Sequence, residues 1–453
     1  MVEEPIISVS GLRGIIGRSL TPEVAMRYAC ALASELPPGL IVITRDGRST
    51  GRMLADVIRG ALMAMGRNVL DADVAATPTT GLLVRELRAA GGIQISASHN
   101  PPEYNGLKLF GGAGRVISAG DGQRILDRYR SGSFSWKSHE ALGTLQSIDD
   151  PHAAHLQKVL QTVNVDRIRA RKYRVLLDAN HGAGALLGRR LLQELGCDVT
   201  VLGAEPNGNF AHVPEPTAEN LSGVCQQVAA VRAVVGFCQD PDADRLALID
   251  ERGEYVGEEY TVAICLNHVL RSRRGAVVTN CSTSRMSEEI TRGRNLPFFR
   301  AKVGEANVCD LMIAENAVFG GEGNGGPIDP QVGYVRDSFV GMAIILDAMA
   351  ATGKSISLLA ADLPRYAIHK AKVSLSAAQV SSSFDRLEQY FAEATASRLD
   401  GLRLDWPGKW LLVRASNTEP IVRLIAEAES ADEARRLCDE AAAAISATKH
   451  DKS

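Results

Sequence analysis

The feature that most restricts the fold of this chain is a pattern repeated along its first three quarters. A short β-rich run is followed by a loop and then by an amphipathic helical stretch, as in residues 40–44 (LIVIT) followed by residues 49–65. Strands predicted at 173–177 and 276–279 begin further units of the same kind. This alternation is typical of α/β layers. The units share their order of elements but no close sequence identity.

The last part of the chain follows a different order, which begins at about residue 373. It predicts, in chain order, a strand, a helix at 384–396, strands near 402–405 and 410–414, a strand at 422–427 and a helix at 431–446. Helices mixed with hairpins indicate a smaller α+β domain. The 453 residues suffice for three or four domains, since roughly 100–200 residues per domain is usual. We predict four domains over residues 1–150, 151–255, 256–370 and 371–453.

The composition, 45% hydrophobic and 23% charged residues, is that of an ordinary soluble globular protein. A net charge of -3 lacks the basic bias of a nucleic-acid binder, so no nucleic-acid partner is predicted. No segment approaches the roughly 18 apolar residues of a membrane helix, and MVEEPIISVS lacks the features of a signal peptide. The cysteines are scattered without a C-x-x-C pair, which indicates neither zinc nor disulfides. We therefore predict a cytoplasmic protein with no membrane partner.

The segment SASHNPPEYNGLKLF, residues 96–110, is the first of four loops that carry chemical groups. It follows an apolar strand, and its double proline cannot continue a helix. One interpretation is a turn in which Ser98 caps the backbone. The other makes Ser98 a nucleophile or phosphoryl carrier, with His99 and Lys108 as neighbouring cationic or acid/base groups.

The second loop, FCQDPDADRLALID, places Asp240, Asp242 and Asp244 at alternate positions after an apolar run. In an extended backbone this spacing directs three carboxylates towards one side. Hard oxygen ligands at this density suit Mg²⁺. An acidic surface turn is the alternative, but crowded aspartates beside a buried strand repel one another unless a cation compensates them. We therefore favour a metal site, with Arg245 beside it as a phosphate partner.

The third loop, GGEGNGGPIDP, surrounds Glu322 and Asn324 with glycines. Glycine lets the backbone and short polar side chains approach a ligand closely. A carboxylate beside an amide suits sugar hydroxyls, although glycine-rich loops are also common without such a role.

The fourth loop, VRASNTEPIVR, places Ser416, Asn417 and Thr418 between Arg414 and Arg423. A turn of donors flanked by two guanidinium groups is a suitable cradle for phosphate. A capped turn with two solvated arginines is the alternative.

Taken together, the order and wording of these four loops resemble the α-D-phosphohexomutase superfamily. Further segments carry the resemblance across nearly the whole chain: SVSGLRGIIG with Arg13, ITRDGRSTG, ATPTTGLL, PEPTAENL and KVGEANV. The resemblance implies an α/β fold of three related domains with mixed sheets, plus a smaller α+β C-terminal domain, around a central cleft. It also implies an intramolecular phosphotransferase, an isomerase that acts on phosphosugars.

The resemblance also implies roles for individual residues. Ser98 resembles the serine that carries the phosphoryl group. Asp240, Asp242 and Asp244 resemble the ligands of one Mg²⁺ per chain, whose site an oxygen of phosphorylated Ser98 completes. Glu322 and Asn324 resemble residues that bind the sugar hydroxyls. The resemblance implies that the distal phosphate is bound by Arg414, Ser416, Asn417, Thr418 and Arg423. It implies phosphate contacts and proton transfer for Arg13, His99, Lys108 and Arg245.

The reaction that the resemblance implies has two transfers. The phosphorylated serine gives its phosphoryl group to the free end of a sugar monophosphate, and the resulting hexose 1,6-bisphosphate turns within the cleft and returns its other phosphate. Added hexose 1,6-bisphosphate is therefore expected to activate the enzyme. The expected partner is a small-molecule phosphosugar, and the chain is expected to be a monomer or a homodimer.

Two segments depart from common wording in the superfamily and bear on the sugar. The opening SVSGLRG replaces a threonine-aspartate-glycine version, and GEGNGG lacks the serine and histidine of many members. GEGNGG with KVGEANV resembles archaeal-type phosphoglucosamine mutases, whereas SNTEP is closer to phosphomannomutases and phosphoglucomutases. We predict phosphoglucosamine mutase activity, with phosphomannomutase/phosphoglucomutase activity as the alternative. A metal-dependent sugar-phosphate phosphatase is the alternative of another class.

Overall fold

Four β-sheets organise the chain. The computed structural model describes residues 4–8, 11–375, 377–415 and 421–446. Three sheets mix parallel with antiparallel strands, and the fourth is wholly antiparallel. This confirms the predicted fold class. We call each sheet with its helices a domain, numbered I to IV in chain order, and the predicted boundaries near 150, 255 and 370 remain a proposal.

Domain I contains a seven-stranded sheet. Its elements are β1 (Ile6–Ser8), β2 (Gly11–Ile15), α1 (Pro22–Glu35), β3 (Ile41–Arg45), α2 (Gly51–Ala64), β4 (Val69–Val74), α3 (Thr77–Glu86), β5 (Gly91–Ile95), β6 (Tyr104–Gly111), α4 (Ala119–Ser131), a 3₁₀ turn (His139–Ala141) and β7 (Leu145–Ser147). The strand order is β1-β2-β6-β5-β3-β4-β7. Parallel pairing of β3 with β4 and β5 follows from the helices that connect them. The loop that carries Ser98 therefore leaves the carboxyl end of a central, fully buried strand.

Domain II contains a four-stranded sheet in the order β11-β10-β8-β9. Its elements are α5 (Ala153–Leu160), α6 (Val165–Arg169), β8 (Arg174–Asp178), α7 (Gly184–Glu194), β9 (Asp198–Leu202), α8 (Ser222–Ala230), β10 (Val235–Gln239) and β11 (Leu246–Ile249). Strands β10 and β11 are antiparallel neighbours, and both are buried throughout. The aspartate loop is the connection between them, so the core holds it at both ends.

Domain III also contains a four-stranded sheet, in the order β13-β12-β14-β15. Its elements are α9 (Glu258–Val269), β12 (Val277–Asn280), α10 (Met286–Arg292), β13 (Phe298–Ala301), α11 (Glu305–Ala314), β14 (Phe319–Glu322), β15 (Gly326–Ile328), α12 (Ser338–Thr352) and α13 (Ile356–Ala361). Helix α12 is buried from Ser338 to Ala350, because it is apolar on every side and packs inside the molecule. The glycine-rich loop joins β14 to β15.

Domain IV contains a five-stranded antiparallel sheet in the order β16-β20-β19-β18-β17. Its elements are β16 (Ala367–Ser374), α14 (Ala377–Tyr390), β17 (Thr395–Ser397), β18 (Leu402–Trp406), β19 (Lys409–Ala415), β20 (Ile421–Ala428) and α15 (Ala431–Ser446). The helix predicted at 384–396 instead starts and ends earlier. The C-terminal part of this helix prediction is wrong, because residues Thr395–Ser397 form a strand that pairs with β18. Helical periodicity in the sequence does not reveal such a pairing.

The apolar cores are shared unequally among the domains. Domains II and III have one continuous core, to which Phe237 and Phe339 both belong. Domain IV has its own core and meets domain III at a small cluster of Cys281, Trp410 and Leu412. Among the helices described, none combines the length and the apolar character needed to cross a membrane.

A buried chain of hydrogen bonds links the first three domains. Thr79 Oγ1 lies 2.9 Å from His155 Nδ1, and His155 Nε2 lies 2.8 Å from Asp337 Oδ2. All three side chains are buried. Domain I is therefore fastened to the shared core of domains II and III by polar groups that water does not reach.

Candidate active site

Ser98 lies directly after β5 in a backbone conformation that few non-glycine residues adopt. Its φ is 50°, and its side chain is 1% exposed. The hydroxyl donates to Asp240 Oδ2 at 2.7 Å, and Oγ lies 3.3 Å from His99 Nδ1. The structure thus joins the serine of the first loop to the first aspartate of the second. Left-handed backbone costs about 1–3 kcal/mol and persists only where its surroundings enforce it.

Arg48 enforces the shape of the Ser98 loop. Its guanidinium donates to the backbone carbonyls of Ser98, Asn100, Pro101 and Tyr104 at 2.6 to 2.8 Å. The side chain is 2% exposed, and burying a guanidinium is costly unless its donors are satisfied. The ITRDGRSTG segment that contains Arg48 carries part of the family resemblance, but its local residues do not predict this contact with carbonyls about fifty positions away.

Asp240, Asp242 and Asp244 are fully buried, and one carboxylate oxygen of each lies within 4.8 Å of the others. Thr77 of α3 donates its hydroxyl to Asp242 Oδ2 at 2.5 Å, and its backbone N–H donates to the Asp242 carbonyl at 2.9 Å. Ala243 takes a φ of 56° between two of the aspartates. Domain I therefore helps to shape the aspartate loop of domain II.

Two cations compensate the aspartates from outside the loop. Lys108 Nζ donates to Asp242 Oδ2 at 2.9 Å and to Asp244 Oδ2 at 2.6 Å. Arg336 Nη2 donates to Asp244 Oδ2 at 2.6 Å. Burial alone would lower the pKa of Lys108, but the two carboxylates outweigh it and raise that pKa.

The carboxyl groups of Asp240 and Asp242 do not ionise alike. Burial raises the pKa of Asp240, and the neighbouring Asp242 and Asp244 raise it further. Burial also acts to raise the pKa of Asp242, but Lys108 and the Thr77 hydroxyl outweigh it and hold that pKa low. The surroundings therefore favour the ionised form of Asp242 and the protonated form of Asp240.

The free oxygens of the trio fit a hard divalent cation. Asp242 Oδ1 and Asp244 Oδ1 are buried and have no hydrogen-bond partner among the described residues. Buried carboxylate oxygens are seldom left without a partner. Because Lys108 and Arg336 occupy only the Oδ2 atoms, the Oδ1 atoms remain available as ligands, and oxygen ligands are those that Mg²⁺ requires. The acidic trio is thus compatible with a Mg²⁺ site.

A cleft of about 780 Å³ lies in front of this buried cluster. All four domains line it, through side chains such as Arg13 and Lys108 of domain I, Arg245 of domain II, Asn324 of domain III and Lys370 of domain IV. Arg13 Nη1 also donates to Asn100 Oδ1 of the serine loop at 3.0 Å. Glutamates such as Glu258 and Glu322 also line the cleft, and its basic side chains suit an anionic group on a ligand.

His99 does not line the cleft but lies beside the serine. Burial, together with the charges of Arg245 and Arg13, lowers the pKa of His99 to about 2. The imidazole is therefore neutral at physiological pH, so one ring nitrogen donates a hydrogen bond and the other accepts one.

The glycine-rich loop of domain III brings Glu322 and Asn324 to the cleft. Glu322 Oε1 accepts from Asn280 Nδ2 at 2.7 Å and from the Gly304 N–H at 3.0 Å, and Oε2 accepts from Arg336 Nη1 at 2.9 Å. Asn324 Oδ1 is buried and has no partner among the described residues. These contacts fix the orientation of the carboxylate and leave the amide oxygen available to a ligand.

Glu258 and Glu259, at the start of α9, form an acidic part of the cleft wall that sequence analysis missed. The Glu259 carboxylate packs so closely on Gly323 that any side chain at that position would collide with it. Its Oε2 accepts from the Ser284 N–H at 3.0 Å. Burial raises the pKa of Glu258 to about 7 and that of Glu259 to about 8. Gly323 lies between Glu322 and Asn324, so this contact places the Glu259 carboxylate beside both residues of the predicted sugar loop.

The predicted residues of domain IV do not line the cleft in the described part of the chain. Ser416, Asn417 and Thr418 lie outside the described residues. Arg414 of β19 pairs with Asp400 at 2.9 Å, and Arg423 of β20 is exposed. Arg414 and Arg423 are not among the residues that line the cleft, so the phosphate cradle remains a proposal.

Arg414 and Arg423 nevertheless belong to a row of three cations. Arg423 is the register partner of Arg414 on one side and of Lys372 on the other, so the three side chains lie on one face of the sheet. Lys370 lies two residues before Lys372 on the same strand and lines the cleft. Like charges directly opposite one another are destabilising unless an anion compensates them. The row therefore extends the cleft face of domain IV with positive charge.

The arrangement as a whole defines a class of protein. A buried serine hydroxyl donates a hydrogen bond to a carboxylate cluster that fits a divalent cation, and arginine and lysine side chains are among those that line the adjoining cleft. Phosphoryl transfer needs in-line positioning and neutralisation of phosphate oxygens, both of which such a site supplies. The fold and the site are those of an enzyme that transfers phosphoryl groups.

Comparison with known proteins places the chain within that class. Models of the phosphoglucomutase/phosphomannomutase alpha/beta/alpha domains I, II and III match residues 6–136, 153–253 and 258–366, and the model of the C-terminal domain matches residues 380–444. The chain therefore belongs to the α-D-phosphohexomutase superfamily and is an enzyme of the phosphosugar mutase type. The resemblance seen in the sequence is confirmed.

Individual relatives align over nearly their whole length. A "Phosphoglucomutase/phosphomannomutase" of Thermococcus kodakarensis is 35% identical over 441 residues, which cover 95% of this chain and 96% of that protein. A "Probable phosphoglucosamine mutase" of Methanopyrus kandleri is 33% identical over 437 residues, with 95% of each chain covered. The crystal structure of a phosphoglucomutase/phosphomannomutase family protein from Burkholderia thailandensis is 26% identical with a TM-score of 0.86, covering 98% of this chain and 99% of that one.

Proposed function

We propose that this enzyme interconverts the 6-phosphate and the 1-phosphate of a hexose or hexosamine, with Ser98 as the phosphoryl carrier. The observation that carries the proposal is the 2.7 Å hydrogen bond from Ser98 Oγ to Asp240, inside a cluster with free carboxylate oxygens. Asp240, Asp242 and Asp244 would hold one Mg²⁺ together with an oxygen of phosphorylated Ser98. The cation would neutralise charge on the transferring phosphoryl group.

The chain's own residues supply the rest of the chemistry. A phosphate on Ser98 adds about -1.5 to -2 charge, and Lys108 lies where it faces that charge and the aspartates together. Arg13 and Arg245 line the cleft through which the sugar phosphate enters, and their guanidinium groups suit its phosphate oxygens. Glu322 and Asn324 would bind the sugar hydroxyls, and the cationic row of Arg414, Arg423 and Lys372 would attract the distal phosphate.

The mutase proposal predicts a specific dependence on bisphosphate. Glucosamine 6-phosphate and glucose 1-phosphate, each supplied with Mg²⁺, are expected to isomerise, and hexose 1,6-bisphosphate should stimulate the rate because it phosphorylates Ser98. A coupled assay for isomer formation, run beside an assay for free phosphate, measures both outcomes. Steady release of phosphate without isomerisation would instead identify a sugar-phosphate phosphatase.

For the sugar, we propose glucosamine phosphate, with mannose and glucose phosphates as the alternative. Glu258 and Glu259 line the cleft beside the glycine-rich loop, and Glu258 Oε1 is buried without a partner among the described residues. In their ionised forms, these carboxylates favour a ligand that carries a positive group beside its phosphate. The ammonium group of a hexosamine supplies that charge. The relatives named phosphoglucosamine mutase agree with this choice.

Replacing Glu259 by glutamine is expected to reduce the preference for the amino sugar. A hydrogen bond to a charged group contributes about 1.5–3 kcal/mol, so kcat/KM for glucosamine 6-phosphate should fall by about 10- to 100-fold. The value for glucose 6-phosphate should change little. The contact needs an ionised Glu259, whose pKa burial raises to about 8, and a protonated sugar amine, which loses its proton in roughly the same range. The wild-type preference should therefore be greatest near that pH and decline on either side. Kinetics with both sugars across pH measure the effect.

The matched control for this experiment is Glu315→Gln, which removes an exposed carboxylate of domain III outside the cleft lining. That variant should keep both the preference and its pH dependence. An unchanged ratio of the two kcat/KM values in Glu259→Gln would contradict recognition of the amino group by this residue, while leaving the mutase proposal intact.

A further inference from the structure

Arg336 contacts two of the functional loops at once. It is 7% exposed and lies immediately before α12, at the junction of domains II and III. Its Nη2 donates to Asp244 of the aspartate loop at 2.6 Å, and its Nη1 donates to Glu322 of the glycine-rich loop at 2.9 Å. Among the described residues, it is the side chain whose donated hydrogen bonds reach both loops.

The position of Arg336 is fixed on every side. Its backbone N–H donates to Glu305 Oε1 at 2.8 Å, and its Nε lies 3.6 Å from Glu305 Oε2. Its aliphatic stem packs so closely on Gly326 that a side chain there would collide with it. The next residue, Asp337, caps α12 and is held by His155. The guanidinium therefore has little freedom to leave either carboxylate.

The same contacts determine which oxygens remain for a cation. Arg336 occupies Oδ2 of Asp244 and leaves the buried Oδ1 without a partner. Partners of this kind, which touch a ligand rather than the metal, orient the ligand, and their loss typically changes metal affinity by about 10- to 100-fold. Glu322 shares the guanidinium with Asp244, so a change in the charge of either carboxylate alters the hold of Arg336 on the other.

We propose that Arg336 is a positioning residue that couples cation binding at the aspartate loop to the orientation of Glu322 in the sugar loop. This inference rests on the proposed metal site and on the proposed role of Glu322. Without the Glu322 carboxylate, the guanidinium acts more fully on Asp244 and competes with the cation. By linkage, a ligand that engages Glu322 and a cation that engages Asp244 change each other's affinity by the same factor.

A double-mutant cycle tests the coupling without turnover. Mg²⁺ binding is measured by calorimetry, in the absence of sugar, for the wild type, Glu322→Gln, Arg336→Lys and the double variant. Glu322→Gln should weaken Mg²⁺ binding by at least about threefold more in the Arg336 background than in the Arg336→Lys background, since lysine keeps the charge but has one nitrogen in place of Nη1 and Nη2, which here reach separate carboxylates. The direct effect of the lost Glu322 charge is present in both backgrounds and cancels.

Arg336→Met provides a second background in which the bridge and the charge are both absent, and it should behave like Arg336→Lys. The matched control is Arg167→Lys, which alters a bidentate pair with Asp347 away from the cleft and from both loops. In that control background, Glu322→Gln should keep its full effect. Thermal unfolding checks that each variant is folded.

The possible results separate the inference from the proposals beneath it. Equal effects of Glu322→Gln in the Arg336 and Arg336→Lys backgrounds would show that charge alone acts, and would overturn the coupling while the metal site stands. Failure of the wild type to bind Mg²⁺ would overturn the metal site and the coupling together. A larger effect in the Arg336 background alone supports the coupling.

Discussion

Ser98→Ala is expected to abolish formation of the phosphoenzyme and to lower the rate of isomerisation on the order of 10³-fold or more. Alanine has no oxygen to accept the phosphoryl group. The fold should persist, because Arg48 fixes the loop through backbone carbonyls rather than through the serine side chain. Intact-mass measurement of the protein after incubation with hexose 1,6-bisphosphate, followed by peptide mapping, locates the phosphate. Steady-state kinetics measure the loss of turnover.

The comparison for Ser98→Ala is Ser118→Ala, which removes the serine that caps α4 in the same domain. That variant should acquire one phosphate and isomerise substrate at close to the wild-type rate. Recovery of substrate-derived phosphate on a residue other than Ser98 would show that the carrier has been misassigned.

Asp242→Asn is expected to raise the Mg²⁺ concentration needed for activity and to lower the maximal rate on the order of 10²-fold or more. A neutral amide is a weaker ligand for a hard cation than a carboxylate is. The substitution also weakens the attraction to Lys108. Activity measured against Mg²⁺ concentration reports both effects.

The counterpart for this prediction is Asp198→Asn, at an exposed carboxylate on β9, which should leave the Mg²⁺ requirement unchanged. Exhaustive chelation of the wild type should abolish isomerisation, and Mg²⁺ should restore it. Full wild-type activity in the chelated sample would rule out the metal site.

The fold class and the cluster of three aspartates could be predicted from the sequence because the information for each is local. The alternation of strand and helix predicted the three α/β domains, and the three aspartates stand within five consecutive residues of one loop. Their meeting with Ser98, 142 positions away, could be inferred only through the family resemblance. The residues of one loop do not indicate which distant loop it contacts in the folded chain.

The residues that sequence analysis missed act across the molecule. Arg48 binds carbonyls about fifty positions further along the chain, and Arg336 reaches Asp244 from 92 positions away. Neither arginine stands out in the sequence, because the chain contains many arginines. The residues next to an arginine do not indicate whether its guanidinium group is buried. Glu259 was missed for a related reason. It occupies the first turn of a helix, where a glutamate is ordinary, and only the fold shows it against the glycine-rich loop.

The unequal sharing of apolar cores has a consequence for the reaction intermediate. Domains II and III cannot separate without exposing a common interior to water, and buried polar contacts hold domain I to them. Domain IV has its own interior and touches domain III through the small cluster around Trp410. The proposed bisphosphate intermediate turns end over end and would need transient space. Movement of domain IV would break the few apolar contacts of Cys281, Trp410 and Leu412 together with polar contacts such as the hydrogen bond from the Arg285 N–H to Glu427, so these contacts would set the free-energy cost of opening.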